Sequence, residues 1–251
     1  MPAFSLPDRL RTVIKPMVPP AAWSYAHSWS ERLIDDVFDP YRRISYSQEG
    51  EDLILHRILR RKARGYYVDV GAFDPKKFSN TYLFYKQGWS GINIDATPGS
   101  MEEFRRVRPR DTNIETAISD KEEEMKFHVY SNPVYNALDR TRLLEREVES
   151  LDYLGTQVVR STRLEKVIEQ HLPKFQTIDF LSVDVEGHEI SVLQSHDWVR
   201  FRPTYLCVEE RGSSLSDAFG SEVVQFLSGK GYELFAKTFQ TLIFRDPSAC
   251  R

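Results

Sequence analysis

From residue 66 onward, short apolar runs that suit strands alternate with longer stretches that suit helices. The runs are YYVDVG (66–71), GINIDA (91–96), NIETAIS (113–119), MKFHVY (125–130), FLSVDVE (180–186), YLCVEE (205–210), YELFAK (232–237) and TLIFR (241–245). Helices are predicted at about 79–87, 99–107, 163–171, 188–197 and 219–230. Strands joined through helices make a parallel sheet covered on both faces, an α/β arrangement. Only TFQ separates the last two runs, so they form a hairpin and put one antiparallel strand into the sheet. With 251 residues, 41% of them hydrophobic, the chain can bury the core of one such domain.

Residues 1–43 stand apart as a helical arm broken by Pro7, Pro16, Pro19, Pro20 and Pro40, with the α/β domain over 44–251. Trp23, Trp29, Leu33 and Phe38 could give the arm an apolar face. That face would pack on the domain, form a homodimer contact or, helped by Arg9, Arg11 and Lys15, touch a membrane surface peripherally. Residues 131–155 have no assigned element and read as a lid or substrate loop. A formal charge of −3 argues against a nucleic-acid partner held by a broad positive field. Two cysteines, Cys207 and Cys250, make no disulfide framework or zinc cluster, and no stretch resembles a signal peptide or a bilayer span. The expected location is the cytoplasm.

In an open α/β sheet, ligands bind beyond the carboxyl ends of the strands where the strand order reverses. The first run ends there, and Gly71 begins its turn. Phe73 and Pro75 stand where a dinucleotide loop would carry further glycines for a pyrophosphate. S-adenosylmethionine has no phosphate and carries positive charge, so a loop poorer in glycine, flanked by Asp69 and Asp74, suits it. Asp95, at the end of the second run, can accept hydrogen bonds from both ribose hydroxyls. The bland alternative is a tight turn that binds nothing.

FLSVDVEGHEI is the second informative stretch. Strand alternation sends Ser182, Asp184 and Glu186 to one side. Acids at the end of a covered strand are costly unless paired, hydrated or bound to a cation. If the next strand is a neighbour, Asp184, Glu186, His188 and Glu209 converge. His188 is a candidate base, and Asp184, Glu186 and Glu209 are hard donors that would suit Mg²⁺. The structural alternatives are that Glu186 and Glu189 cap the following helix and that His188 serves a hydrogen bond. The four arginines of RRVRPRD (105–111) are either solvated or a grip on a phosphate.

The segments SQEGEDLIL (47–55), VDVGAFDPKKFSNTYLFYKQGWSGINIDATP (68–98), RPRDTNIETAIS (108–119) and IDFLSVDVEGHEISVL (178–193) together resemble the FkbM-type methyltransferases. The resemblance implies the class I methyltransferase fold, Rossmann-like, with a mostly parallel seven-stranded sheet and a terminal antiparallel hairpin. It implies methyl transfer from S-adenosylmethionine to oxygen, often on sugars of polysaccharides, glycolipids or natural products. By motif match, Asp69, Gly71, Ala72 and Asp95 would contact the cofactor. Phe73 and Ala96 are expected beside the cofactor with them, and Ala117 and Ile118 would bound the adenine. Asp184 would stand where methyl and acceptor meet, and Gln48, Glu51 and Asp52 would close over the site. Ser47 to Asp52 also reads as a plain helix start. Ser79 and Thr81 either cap a helix or contact the ligand. The family pattern often has Asn at the Phe73 position and Glu at the Asp95 position, so this chain departs at both.

The expected protein is therefore an O-methyltransferase for a sugar hydroxyl of a glycan, glycolipid or nucleotide sugar. Asp184, with His188 or a metal on Asp184, Glu186 and Glu209, would activate the acceptor. The alternatives are transfer to nitrogen of a protein or small molecule, or an inactive scaffold that binds the cofactor.

Overall fold

The computed structural model describes residues 39, 41–132, 135–138, 152–210 and 214–249. The chain divides into two units, Met1–Ile44 and Ser45–Arg251. The arm expected over 1–43, with its dimer or membrane contact, lies almost wholly outside the described residues.

In chain order the second unit contains α1 (Glu51–Leu59), β1 (Tyr66–Val70), α2 (Tyr82–Lys86), β2 (Ser90–Asp95), α3 (Ser100–Val107) and β3 (Thr112–Glu115). There follow β4 (Ala117–Ile118), β5 (Glu124–Tyr130), β6 (Tyr153–Thr162), α4 (Leu164–His171), β7 (Phe180–Val183) and α5 (Glu189–Gln194). The last elements are β8 (Tyr205–Glu209), α6 (Leu215–Gly220), α7 (Glu222–Gly229), β9 (Glu233–Lys237) and β10 (Thr241–Arg245).

Seven strands form one sheet in the order β3-β2-β1-β7-β8-β10-β9. All pairs are parallel except those of β10, which runs antiparallel to β8 and β9. The chain moves outward from β1 to β3 and then returns to place β7 beside β1. The order therefore reverses between β1 and β7, and a crevice opens at their carboxyl ends. Alternation along β1 explains its two-sided burial. Val68 and Val70 join the core that includes Ile168, Val192 and Leu227, while Tyr67 faces Leu55, Phe84 and Trp89. Helices thus cover both faces. No helix among the described residues is long and apolar enough to cross a membrane.

Several expected elements change. The run 113–119 breaks at Thr116, whose amide donates to the Asp95 carbonyl at 2.9 Å. β4 then leaves the main sheet and pairs with β6, which also pairs with β5, so MKFHVY lies in a second, three-stranded sheet. β6 was not expected; of the unassigned 131–155, residues 139–151 are outside the described set. β7 stops at Val183, three residues before the expected end. The helix expected at 219–230 is two helices, each capped by a serine: Ser214 accepts from the Asp217 amide and Ser221 from the Val224 amide.

His196, just after α5, is buried against Trp198, and its Nε2 donates to the Phe201 carbonyl at 2.8 Å. Burial pushes its pKa down to about 4. The unfolded chain takes up this proton first, so stability is full above pH ~6.5 and falls as the pH drops toward 4. The loss over that window is about 3 kcal/mol. Denaturant titrations should show His196→Gln with a flatter profile than the native chain between those pH values.

Candidate active site

The loop after β1 is built before any ligand arrives. Gly71 sits at φ 82°, and a Cβ there would lie 1.6 Å from the Asp184 carbonyl oxygen. The glycine expected to admit a ligand is thus already required by the backbone of the strand next door. The amides of Gly71 and Ala72 both donate to the Ile94 carbonyl, at 2.9 and 3.1 Å. Asp95 then fixes the turn: its Oδ2 accepts from the Phe73 amide at 3.0 Å and its Oδ1 from the Thr97 amide at 2.8 Å. Asp74 is spent on the loop itself, with Oδ1 accepting from the Lys76 and Lys77 amides.

A cleft opens above this turn, enclosing about 810 Å³ of atom-free space that includes open solvent. Of the expected cofactor residues, Gln48, Gly71, Phe73, Asp95, Ala96 and Ala117 line it, together with Ile118. Asp69, Ala72 and Thr81 are not among its lining residues. Thr81 Oγ1 donates to Asp69 Oδ2 at 2.8 Å, and Ala72 packs on Met101 and Phe104. Burial pushes the Asp69 carboxyl above its usual range while the Arg108 charge pulls it back. Sequence reasoning missed Phe78, Thr97 and Phe127 as cleft residues, while Asn136 and Leu138, which also line the cleft, lie in the stretch 131–155 read as a lid or substrate loop. Phe127, Asn136 and Leu138 belong to the wall beside the second sheet, where Ala137 bridges to His128 and Asn136 accepts from the Tyr130 amide.

Beyond β7 the chain turns sharply. Glu186 holds φ 54° and Gly187 φ 100°. Glu189 Oε1 closes the turn, accepting from the Gly187 amide at 2.8 Å and the Val185 amide at 3.3 Å. This turn, and not strand alternation, brings Glu186 round. Asp184, Glu186 and Glu209 each offer a carboxylate oxygen, all within 4.8 Å of one another. Removal from water, then the charges of Glu209, Glu186 and Glu189, hold the Asp184 carboxyl well above the usual range. His188 is not part of this group; its Nε2 lies 3.2 Å from Ser119 Oγ, toward β4. Asp184 also borders a smaller recess with Glu209, Gln48, Asn80 and Gln240.

The segment 45–52 is a brace. Asp52 is buried and accepts from Ser45 Oγ, the Tyr46 amide and Ser47 Oγ at 2.6–2.9 Å. Glu51 accepts from Thr238 Oγ1 at 3.0 Å, which ties the segment to the β9–β10 turn. The helix starts at Glu51 behind Gly50, later than the expected Ser47 cap. Of Gln48, Glu51 and Asp52, Gln48 lines both the cleft and the smaller recess, Glu51 lines the recess, and Asp52 lines neither. The arginine run divides: Arg105, Arg106 and Arg110 are exposed, as the solvated reading expects, with the Arg110 guanidinium 3.9 Å from the Tyr85 ring centroid, whereas Arg108 is fully buried on Asp111 and meets neither expectation.

A mostly parallel sheet of this order, with its reversed penultimate strand and a cleft at β1 and β2, defines the class I methyltransferases that use S-adenosylmethionine. The chain belongs to the family described as Methyltransferase FkbM domain, whose profile matches residues 69–234. It is thus an S-adenosylmethionine-dependent methyltransferase. Among solved structures it is similar to a TehB-like methyltransferase from Corynebacterium glutamicum (13% identity, TM-score 0.39, covering 91% of this chain and 100% of that one). It is also similar to a methyltransferase from Geobacter sulfurreducens (12%, 0.42, 96% and 98%). A third is an O-methyltransferase from Bacillus cereus in complex with SAH (10%, 0.39, 85% and 94%). Likenesses this distant bear on neither substrate nor mechanism. No curated protein sequence matches the chain.

Two variants test the geometry. Gly71→Ala should lose roughly 2–4 kcal/mol of stability in urea titrations, from backbone strain and the clash with Asp184. Asp95→Asn turns one acceptor oxygen into a donor facing an amide. Calorimetry should show S-adenosylmethionine affinity falling about tenfold or more.

Proposed function

We propose that the chain transfers a methyl group from S-adenosylmethionine to a sugar hydroxyl of a glycan, glycolipid or nucleotide sugar. The observation that carries this reading is the position of Asp184, which borders both the cofactor cleft and the polar recess beside it. Asp95 suits the ribose: each of its oxygens accepts one backbone amide and has capacity for a second donor. Ala96, Ala117, Ile118 and Phe127 offer the apolar walls an adenine needs. Gly71 and Phe73 would flank the amino-acid portion, and the methyl end would point toward Asp184.

The acceptor hydroxyl attacks the methyl carbon in line, from about 3 Å, as the new C–O bond forms and the C–S bond breaks. Its proton passes to the Asp184 carboxylate. A carboxylate whose pKa is held up is a stronger base than an exposed one, which suits a weakly acidic hydroxyl. Glu186 and Glu209 maintain that basicity. The same three acids are hard oxygen donors and fit Mg²⁺, which would supply positive charge beside the acceptor oxygen. His188 acts at one remove, tying the turn after β7 to Ser119.

The test is transfer of labelled methyl to a panel of methyl glycosides and nucleotide-linked sugars, with and without EDTA. Label in a sugar product supports the reading, and label in no sugar despite cofactor binding defeats it. Asp184→Asn should lower kcat by about a hundredfold or more while S-adenosylmethionine binding stays within about threefold. Activity abolished by EDTA and restored by Mg²⁺ would assign the acids to a cation; activity indifferent to EDTA would leave Asp184 as base.

A further inference from the structure

Phe73 and Phe78 lie on the loop after β1, and both hold the left-handed backbone conformation, at φ 53° and 57°. Such conformations are strained for bulky residues and gather where a ligand is gripped. The two rings stack, with centroids 6.4 Å apart and planes 20° from parallel. Phe78 is 42% exposed, so its ring adds little to the core that would offset the strain. It lines both the cofactor cleft and the polar recess, whereas Phe73 lines the cleft alone.

The position of Phe78 separates it from the adenine end. Thr97, Thr116 and Phe127 line the cleft and do not line the recess. Phe78 shares the recess with Asp184, Glu209, Gln48, Asn80 and Gln240. A sugar ring presents a face of polarised C–H bonds and a rim of hydroxyls. The electron-rich face of an aromatic ring complements the first. Amides and carboxylates complement the second. Among the described residues no lysine or arginine lines either recess, which favours an uncharged ring over a phosphate at this point. Lys77 holds its ammonium 4.7 Å from the Phe78 centroid, on an exposed arm that a ligand can displace.

We propose that Phe78, backed by Phe73, is the platform on which the acceptor's sugar ring stacks, and that it sets acceptor specificity. The proposal rests on the saccharide reading above. It is tested with labelled methyl transfer to methyl glycosides of neutral hexoses and 6-deoxyhexoses, and to their UDP-linked forms, using the native chain, Phe78→Leu, Phe78→Trp and Phe78→Gly. The leucine and glycine variants should raise acceptor KM by roughly tenfold, with KM for S-adenosylmethionine within about twofold. Phe78→Trp should keep the native acceptor KM. Phe78→Gly should unfold no earlier than the native chain, because glycine relieves the strain, so its loss of acceptor would not be a folding defect. Leucine performing as well as phenylalanine, or an effect confined to KM for S-adenosylmethionine, would overturn the platform while leaving sugar methylation standing. If the native chain binds S-adenosylmethionine and labels neither glycoside class, the saccharide reading fails first and the platform falls with it.

Discussion

A buried guanidinium holds the sheet and the site together. Arg108, at the end of α3, is wholly out of water and pairs through Nε with Asp111 at 2.8 Å. It also donates to the Tyr67 hydroxyl at 2.8 Å and to Thr81 Oγ1 at 3.0 Å. Asp111 in turn accepts from the Gly91 amide, the Asn93 side chain and the Tyr67 hydroxyl. Burying two such charges costs several kcal/mol each, which only close geometry and full hydrogen bonding can offset. The network meets that condition while joining β1, β2, the entry to α2 and the start of β3. It also keeps Asp69, under the tip of β1, beside a positive charge.

From that foundation the strain above it becomes affordable. Among the described non-glycine residues, Phe73, Phe78, Phe175 and Glu186 hold left-handed backbone, and each such residue costs about 1–3 kcal/mol. All but the exposed Phe175 line the cleft. Gly71 locks the first loop against the Asp184 carbonyl, Asp95 anchors it through two amides, and Glu189 closes the opposite turn. The result is a mouth set by backbone contacts, with side chains at its rim left to meet ligands. Asp184 sits where the two loops touch, which is why it borders both the cleft and the smaller recess.

The sheet was legible because its signal is local and repeated. Central strands such as YYVDV and YLCVE are apolar on both faces, and the closing hairpin is separated by three residues. β6 was missed because YLGTQVVRST is mostly exposed, so it has no apolar pattern to read. Arg108 looked like one of four surface arginines, since composition does not tell which member of a charged run turns inward. Asp52 looked available for a ligand but is taken up by Ser45 and the Tyr46 amide, while Glu51, which lines the recess, is also tied to Thr238 on a distant hairpin.

The sequence alone determined the layered α/β plan, the glycine turn after β1 and the carboxylates at the ends of β2, β7 and β8. Periodicity and residue chemistry are properties of short segments, and they survive without knowledge of distant contacts. The expected meeting of Asp184, Glu186 and Glu209 depended on β7 and β8 being neighbours, and only the tertiary structure decided that and how Glu186 gets there. Glu186 joins Asp184 and Glu209 through a left-handed turn that no strand pattern contains, while His188 swings to Ser119 on the second sheet. Tertiary packing also divided the residues around the loop after β1 into a buried group, Asp69 and Thr81, and a cleft-lining group, Phe73 and Phe78. That division depends on the charge of Arg108, 27 residues beyond Thr81, reaching Thr81 through space.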